Sequence, residues 1–148
     1  MSNYRRLFVP GGTFFFTVNL RDRRSDLLVR RIDLLRESWR DVRQQWPFET
    51  IAAVVLPDHM HFVIALPEGD ADFPGRLRLL KAGFTRRVPD VEKSDGRKGE
   101  RNIWQRRYWE HAIRDADDLE ACVTYVHFNP VKHGHVAGVE DWPYSTWH

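Results

Sequence analysis

The stretch from Val54 to Leu66, Val-Val-Leu-Pro-Asp-His-Met-His-Phe-Val-Ile-Ala-Leu, constrains the chain more than any other. Apolar, largely β-branched residues flank Pro57-Asp58, a pair that turns the backbone tightly, so the stretch reads as a β-hairpin whose second strand runs from His59 to Leu66. Side chains alternate along a strand. His59 and His61 therefore share one face, about 7 Å apart at the backbone for a rise of about 3.3 Å per residue. Met60 and Phe62 face the other way, toward a core. Two imidazoles on one face of a buried strand can share a metal ion, whereas a single histidine there is more often a hydrogen-bonded residue at a sheet edge. The pair needs a partner elsewhere in the chain before it reads as a site.

The flanking sequence supplies the remaining elements. Gly11 and Gly12 follow Pro10 as a turn into an aromatic and β-branched strand, Thr13 to Leu20. Ser25 or Asp26 caps a helix whose apolar residues Leu28, Ile32, Leu35, Trp39, Val42 and Trp46 form one stripe, and Pro47 stops it. Phe48 to Leu56 is the first strand of the hairpin. Phe73 to Val88 carries Leu77, Leu80 and Phe84 at helical spacing, with Arg76, Arg78, Lys81, Arg86 and Arg87 as a basic outer face. Pro89 to Glu100 reads as a polar loop, and Asn102 to Ile113 as the fourth strand with its exit. Asp115 or Asp117 caps the last helix, with Leu119, Cys122, Val123 and Val126 on one side; Pro130 is expected to end it, because the residue before proline is pushed out of the helical region. The order β-α-β-β-α-β-α predicts a ferredoxin-like α+β sandwich, helices packed on an antiparallel sheet, as one domain over residues 1–148.

Composition narrows the class of function. No apolar run approaches the length that spans a bilayer, and the start, Met-Ser-Asn-Tyr-Arg-Arg, lacks the pattern of a secretory signal, so a cytoplasmic protein is expected. Cys122 is the single cysteine, so no internal disulfide and no cysteine-based zinc site are expected, a reducing compartment fits, and Cys122 itself reads as a small buried hydrophobe. Net charge is only +2, yet arginines cluster at Arg5-Arg6, Arg21 to Arg24, Arg30-Arg31, Arg86-Arg87 and Arg97 to Arg107, interleaved with Tyr4, Trp104, Tyr108 and Trp109. Guanidinium forks suit phosphates and stack on bases, so this is the pattern of a nucleic-acid surface; a merely solvated basic face has the same pattern.

The histidine pair finds its partner on the last helix. Tyr125 precedes Asn129 by four residues, so the two share a helical face about one turn apart. A phenol has a pKa near 10 and attacks only a group that is already polarised, while two neutral imidazoles and an amide oxygen leave a divalent ion with open positions for phosphate oxygens.

Leu-Pro-Asp-His-Met-His from Leu56, Trp-Gln-Arg-Arg-Tyr-Trp-Glu-His from Trp104 and Tyr-Val-His-Phe-Asn-Pro-Val-Lys-His-Gly-His from Tyr125 resemble the motifs of the single-tyrosine transposases. Together with Asn-Tyr-Arg-Arg from Asn3, Pro-Gly-Gly-Thr from Pro10 and Asp-Trp-Pro-Tyr-Ser from Asp141, the chain is most similar to the bacterial transposases associated with repetitive extragenic palindromes (REP). The resemblance runs nearly the whole length. It implies the histidine-hydrophobic-histidine (HUH) endonuclease form of the ferredoxin-like fold, with His59 and His61 as the metal pair and Tyr125 as the nucleophile. Insertion-sequence relatives carry a glutamine four positions after the tyrosine; here that position is Asn129, with His127, His133 and His135 as alternative ligands.

The implied reaction is single-strand cleavage and rejoining in hairpin DNA from a palindromic repeat, through a 5′-phosphotyrosine link, with Mg²⁺ or Mn²⁺ as cofactor. Arg5, Arg6, Trp104, Arg106, Arg107 and Lys132 are the expected DNA contacts, with Trp104 and Trp109 as core residues in the alternative reading. A monomer is expected, a dimer exchanging tyrosine helices being the alternative, at the nucleoid. Rival readings are a replication-initiator or relaxase-like nickase, a non-mobile hairpin-binding protein, and a hydrolase of small phosphates.

Overall fold

The computed structural model describes residues 9–93 and 103–147. Arg5 and Arg6 lie outside the described residues. In chain order the elements are β1 (Thr13–Asn19), α1 (Leu27–Arg30), α2 (Ile32–Gln45), β2 (Glu49–Val55), β3 (His59–Ala65), α3 (Phe73–Arg87), α4 (Asp90–Lys93), β4 (Trp109–Ala112) and α5 (Ala116–Lys132), followed by a 3₁₀ turn at Val139–Asp141.

The four strands form one antiparallel sheet in the order β2-β3-β1-β4. The hairpin expected around Pro57-Asp58 is present, pairing Val54 with His61 and Val55 with Met60. β1 and β3 are the inner strands, and both faces of the sheet are covered, which is why Phe14, Phe15 and Phe16 are buried in succession and why β3 is buried through His59 to Ile64. One face carries Phe14, Phe16, Val18, Met60, Phe62 and Ile64 and packs on Leu28, Leu35 and Val42 of the α1–α2 arm and on Leu77, Leu80 and Phe84 of α3. The other face carries Phe15, Ala52, Val54 and Val63 and packs on Val126 of α5. His59 and His61 belong to this second face by strand parity, with Met60 and Phe62 in the opposite core as expected.

Several local expectations differ. The first helix is divided: Arg31 leaves the helical region (φ −116°, ψ 41°), and Leu28 N donates to Pro57 O at 3.2 Å, binding α1 to the hairpin turn while α2 follows its own stripe. The fourth strand is shorter than expected, Trp109–Ala112, and residue 104 contributes only an isolated bridge to Leu20. Arg76 does not belong to a basic outer face. It is 3% exposed and donates to Trp46 O, Pro47 O, Asp72 O and the Asp70 carboxylate, tying α3 to the end of α2; carbonyls freed at that end make burial of the guanidinium tolerable. Lys81 likewise turns inward to Gln105 O, leaving Arg78 and Arg86 exposed on that helix.

Pro130 does not end the last helix. α5 continues to Lys132 and closes at Gly134, whose φ of +76° is left-handed, with Gly134 N donating to Val131 O and His135 N to Pro130 O. This double bond pattern is a Schellman cap, and a Cβ-bearing residue pays strain for that φ. Beyond it, residues 144–146 lie along the outer edge of β2, with Val55 N donating to Tyr144 O (2.8 Å) and Thr146 N to Ala53 O (2.9 Å).

Candidate active site on the sheet face under α5

β3 presents His59 and His61 to α5 with their rings 4.9 Å apart, centroid to centroid. Each ring is oriented through Nδ1. His59 Nδ1 lies 2.8 Å from Asp58 Oδ1, and Asp58 is held in turn by Arg23 Nε at 2.5 Å. His61 Nδ1 lies 2.8 Å from Thr17 Oγ1 on β1, its register partner. With Nδ1 as the protonated nitrogen in both rings, Nε2 is left as the lone-pair donor, the tautomer a metal-binding imidazole needs. Phe15 stacks on His61 at 5.7 Å.

Electrostatics keep both imidazoles neutral. Burial pushes His61 down to about 3, with the neighbouring His59 adding to the effect. Burial also lowers His59, against the opposing pull of Asp58. Burial raises the Asp58 carboxyl, but its bonds to Arg23 and His59 outweigh this and hold it below the usual carboxylate range.

From the other side α5 brings Tyr125 over His61, ring to ring 5.2 Å, and the Lys132 ammonium sits 5.0 Å from the Tyr125 ring centre. His133 lies 5.5 Å from His59. Residues 125, 129 and 133 succeed one another at one-turn intervals on a helical face, so Asn129 stands between the residue over His61 and the residue over His59. Asn129 is fully buried. Among the described residues, the buried side-chain atoms without a hydrogen-bond partner are His61 Nε2, Asn129 Nδ2 and Asn129 Oδ1. Leaving an amide so costs about 1–3 kcal/mol per orphaned group, and a cation accepting the lone pairs of Nε2 and Oδ1 would relieve it, so these residues fit a bound metal.

The expected DNA contacts fare unevenly. Arg106, Arg107 and Lys132 are exposed. Trp104 is a correction: it is 2% exposed, with its indole N–H shared between Lys81 O and Thr85 Oγ1 and its ring against Phe84, so it belongs to the α3 core and offers no surface to DNA. Trp109 is the exposed indole instead, at 59%, opposite Thr17 on the histidine face. Asp58 does more than shape a turn, since it orients His59. Its position next to that histidine was the available signal; Thr17 and Arg23 carried none. His127 faces away to Thr146 Oγ1, as its offset from Tyr125 requires.

A histidine pair on an inner strand of a four-stranded antiparallel sheet, facing a helix-borne tyrosine on the same side, is the arrangement that the resemblance to the tyrosine transposases implies. No protein-family model matches the chain. It is 51% identical to the REP-associated tyrosine transposase of Escherichia coli K12 over its full length and 84% of that protein, and 45% identical to a putative REP-associated tyrosine transposase of Haemophilus influenzae over its full length and 86% of that protein. A solved structure of a REP-associated tyrosine transposase bound to a REP hairpin superimposes with a TM-score of 0.89 at 50% identity, covering all of this chain and 84% of that one. The chain belongs to the REP-associated tyrosine transposases.

Proposed function

We propose that the chain is a metal-dependent single-strand DNA endonuclease and strand transferase, a ferredoxin-like HUH domain over residues 1–148, acting beside REP hairpins with Tyr125 as its nucleophile. The observation that carries this reading is the Tyr125 ring 5.2 Å from His61 with the orphaned Asn129 amide one turn further along. His59 Nε2, His61 Nε2 and Asn129 Oδ1 would hold Mg²⁺ or Mn²⁺. Bound there, the ion supplies Lewis-acid polarisation of a phosphodiester.

The chain's own residues do the rest. Asp58 and Thr17 keep both imidazoles in the tautomer that exposes Nε2. Lys132, and Arg106 and Arg107 on the loop leading to β4, draw the phosphate backbone to the exposed edge of Tyr125. The Tyr125 oxygen attacks phosphorus, losing its proton; the bond from phosphorus to the 3′ oxygen breaks, and that oxygen leaves as a hydroxyl after taking a proton. The 5′-phosphotyrosine retains the bond energy, so reversal on a second 3′-hydroxyl rejoins strands without a nucleotide cofactor.

α5 buries Val126 against its own sheet, which supports a monomer. Among the described residues no helix is long and apolar enough to cross a membrane, consistent with a cytoplasmic, nucleoid-associated protein. The test uses an end-labelled REP hairpin with single-stranded flanks. Wild type with Mg²⁺ or Mn²⁺ should give a labelled protein band that survives denaturation, and Tyr125→Phe should bind equally and give none. Equal binding with no cleavage by either protein would leave a non-mobile hairpin-binding protein; cleavage restricted to a replication origin would indicate the nickase. Turnover of small phosphates without a covalent DNA band would indicate the hydrolase.

A further inference from the structure

The α5 stripe that carries Tyr125 and Asn129 also carries Asp118 and Cys122, seven and three positions earlier. These two are one turn apart, and His111 reaches them from β4. One donor atom from each residue lies within 4.8 Å of the others. His111 Nε2 is 2.9 Å and 3.0 Å from the two Asp118 oxygens, and Cys122 Sγ is 3.8 Å from Asp118 Oδ1. A tetrahedral zinc ion, with bonds of about 2.0–2.3 Å, sets neighbouring donors roughly 3.3–3.8 Å apart, so small side-chain adjustments suffice.

We propose that His111, Asp118 and Cys122 form a zinc-type site that ties the start of the tyrosine helix to β4. The carboxylate is already aimed: Arg114 N donates to Asp118 Oδ2 at 2.8 Å, with Arg114 Nε at 3.5 Å, and the Asp118 side chain is only 9% exposed. The His111 side chain, at 32%, leaves room for water in a fourth position. The nitrogen, oxygen and sulfur donors suit zinc, and the thiol is a donor that the histidine pair on β3 lacks. Binding forms the metal–sulfur bond and releases the Cys122 thiol proton to solvent. Phe15 links the two sites, its backbone paired with His111 and its ring against both His61 and Tyr125. Occupancy therefore holds α5, and with it Tyr125, on its own sheet.

The reduced full-length chain, titrated with Co²⁺ without oxygen, tests this. Because Cys122 is the single cysteine, any cobalt–thiolate charge-transfer band comes from this site. The expected result is such a band, removed by added Zn²⁺, lost in Cys122→Ser and weakened at least ~10-fold in His111→Ala and Asp118→Asn. It should persist in His59→Ala, and Zn²⁺ should protect the thiol from alkylation. Absence of the band, a band indifferent to His111 and Asp118, or a band that appears only as two chains dimerise through their cysteines would overturn the proposal. Circular dichroism of each variant separates a lost ligand from a lost fold.

Discussion

Replacing Asn129 with leucine should make the metal-free protein more stable, although the residue is completely buried and central to the site. Its two amide atoms and His61 Nε2 have no hydrogen-bond partners, so the substitution forfeits no bond. It removes a desolvation penalty of about 1–3 kcal/mol and keeps roughly the same volume in apolar form. For a chain of this size 1 kcal/mol moves the melting temperature about 2–4 °C. Thermal and urea unfolding in EDTA measure this directly. Adding Mg²⁺ or Mn²⁺ then separates ligand from bystander: an ion at ten times its Kd stabilises wild type by about 1.4 kcal/mol, and Asn129→Leu should lose that increment along with covalent capture of DNA. A leucine variant less stable than wild type in EDTA would mean that the amide has partners and would refute the reasoning. Equal stabilisation of both proteins by the ion would remove Asn129 from the ligand set.

Trp104→Ala should destabilise by about 3–5 kcal/mol, because it empties an indole-sized space beside Phe84 and strips a donor from Lys81 O and Thr85 Oγ1; chemical denaturation checks it, and a change confined to hairpin affinity would return Trp104 to the DNA surface. Glu110 is raised by burial to about 7, so the folded protein keeps a proton that the unfolded chain releases above about 4.5. Stability contributed at this position therefore declines as pH rises from about 4.5 to about 7 and is level above that, and Glu110→Gln, compared with wild type across that window, should remove the decline. Gly134→Ala meets no neighbour within 4 Å, so its cost is the left-handed φ alone, about 1–2 kcal/mol by thermal unfolding; no loss would show that the cap relaxes.

What was legible in the sequence follows from which features are local. The hairpin, the parity of His59 and His61, and the one-turn spacing of Tyr125 and Asn129 are set by backbone period alone, and all are present. Trp104 is core and Trp109 exposed, where the sequence reads them alike, because both belong to one aromatic run whose burial depends on where β4 begins, and that is fixed by pairing with β1. Arg76 has the spacing of an exposed helical arginine; only tertiary contact with carbonyls at the end of α2 turns it inward. The division of the first helix at Arg31 left no mark in a stripe that continues through it.

Pro130 was misread for a different reason, and its true place bears on the site. Had the helix stopped there, Asn129 would sit in a fraying turn with its amide in water, and His133 would have no reason to meet His59. Proline forfeits one N–H bond to the preceding turn, yet the helix runs on to Lys132 because Gly134 caps the last carbonyls. The Asn-Pro-Val-Lys-His-Gly run is thus one unit in which proline follows the buried amide and glycine terminates the helix one turn after it. That extra turn brings Lys132 to the Tyr125 ring and His133 to His59, so the end of α5 closes over the site that its middle supplies.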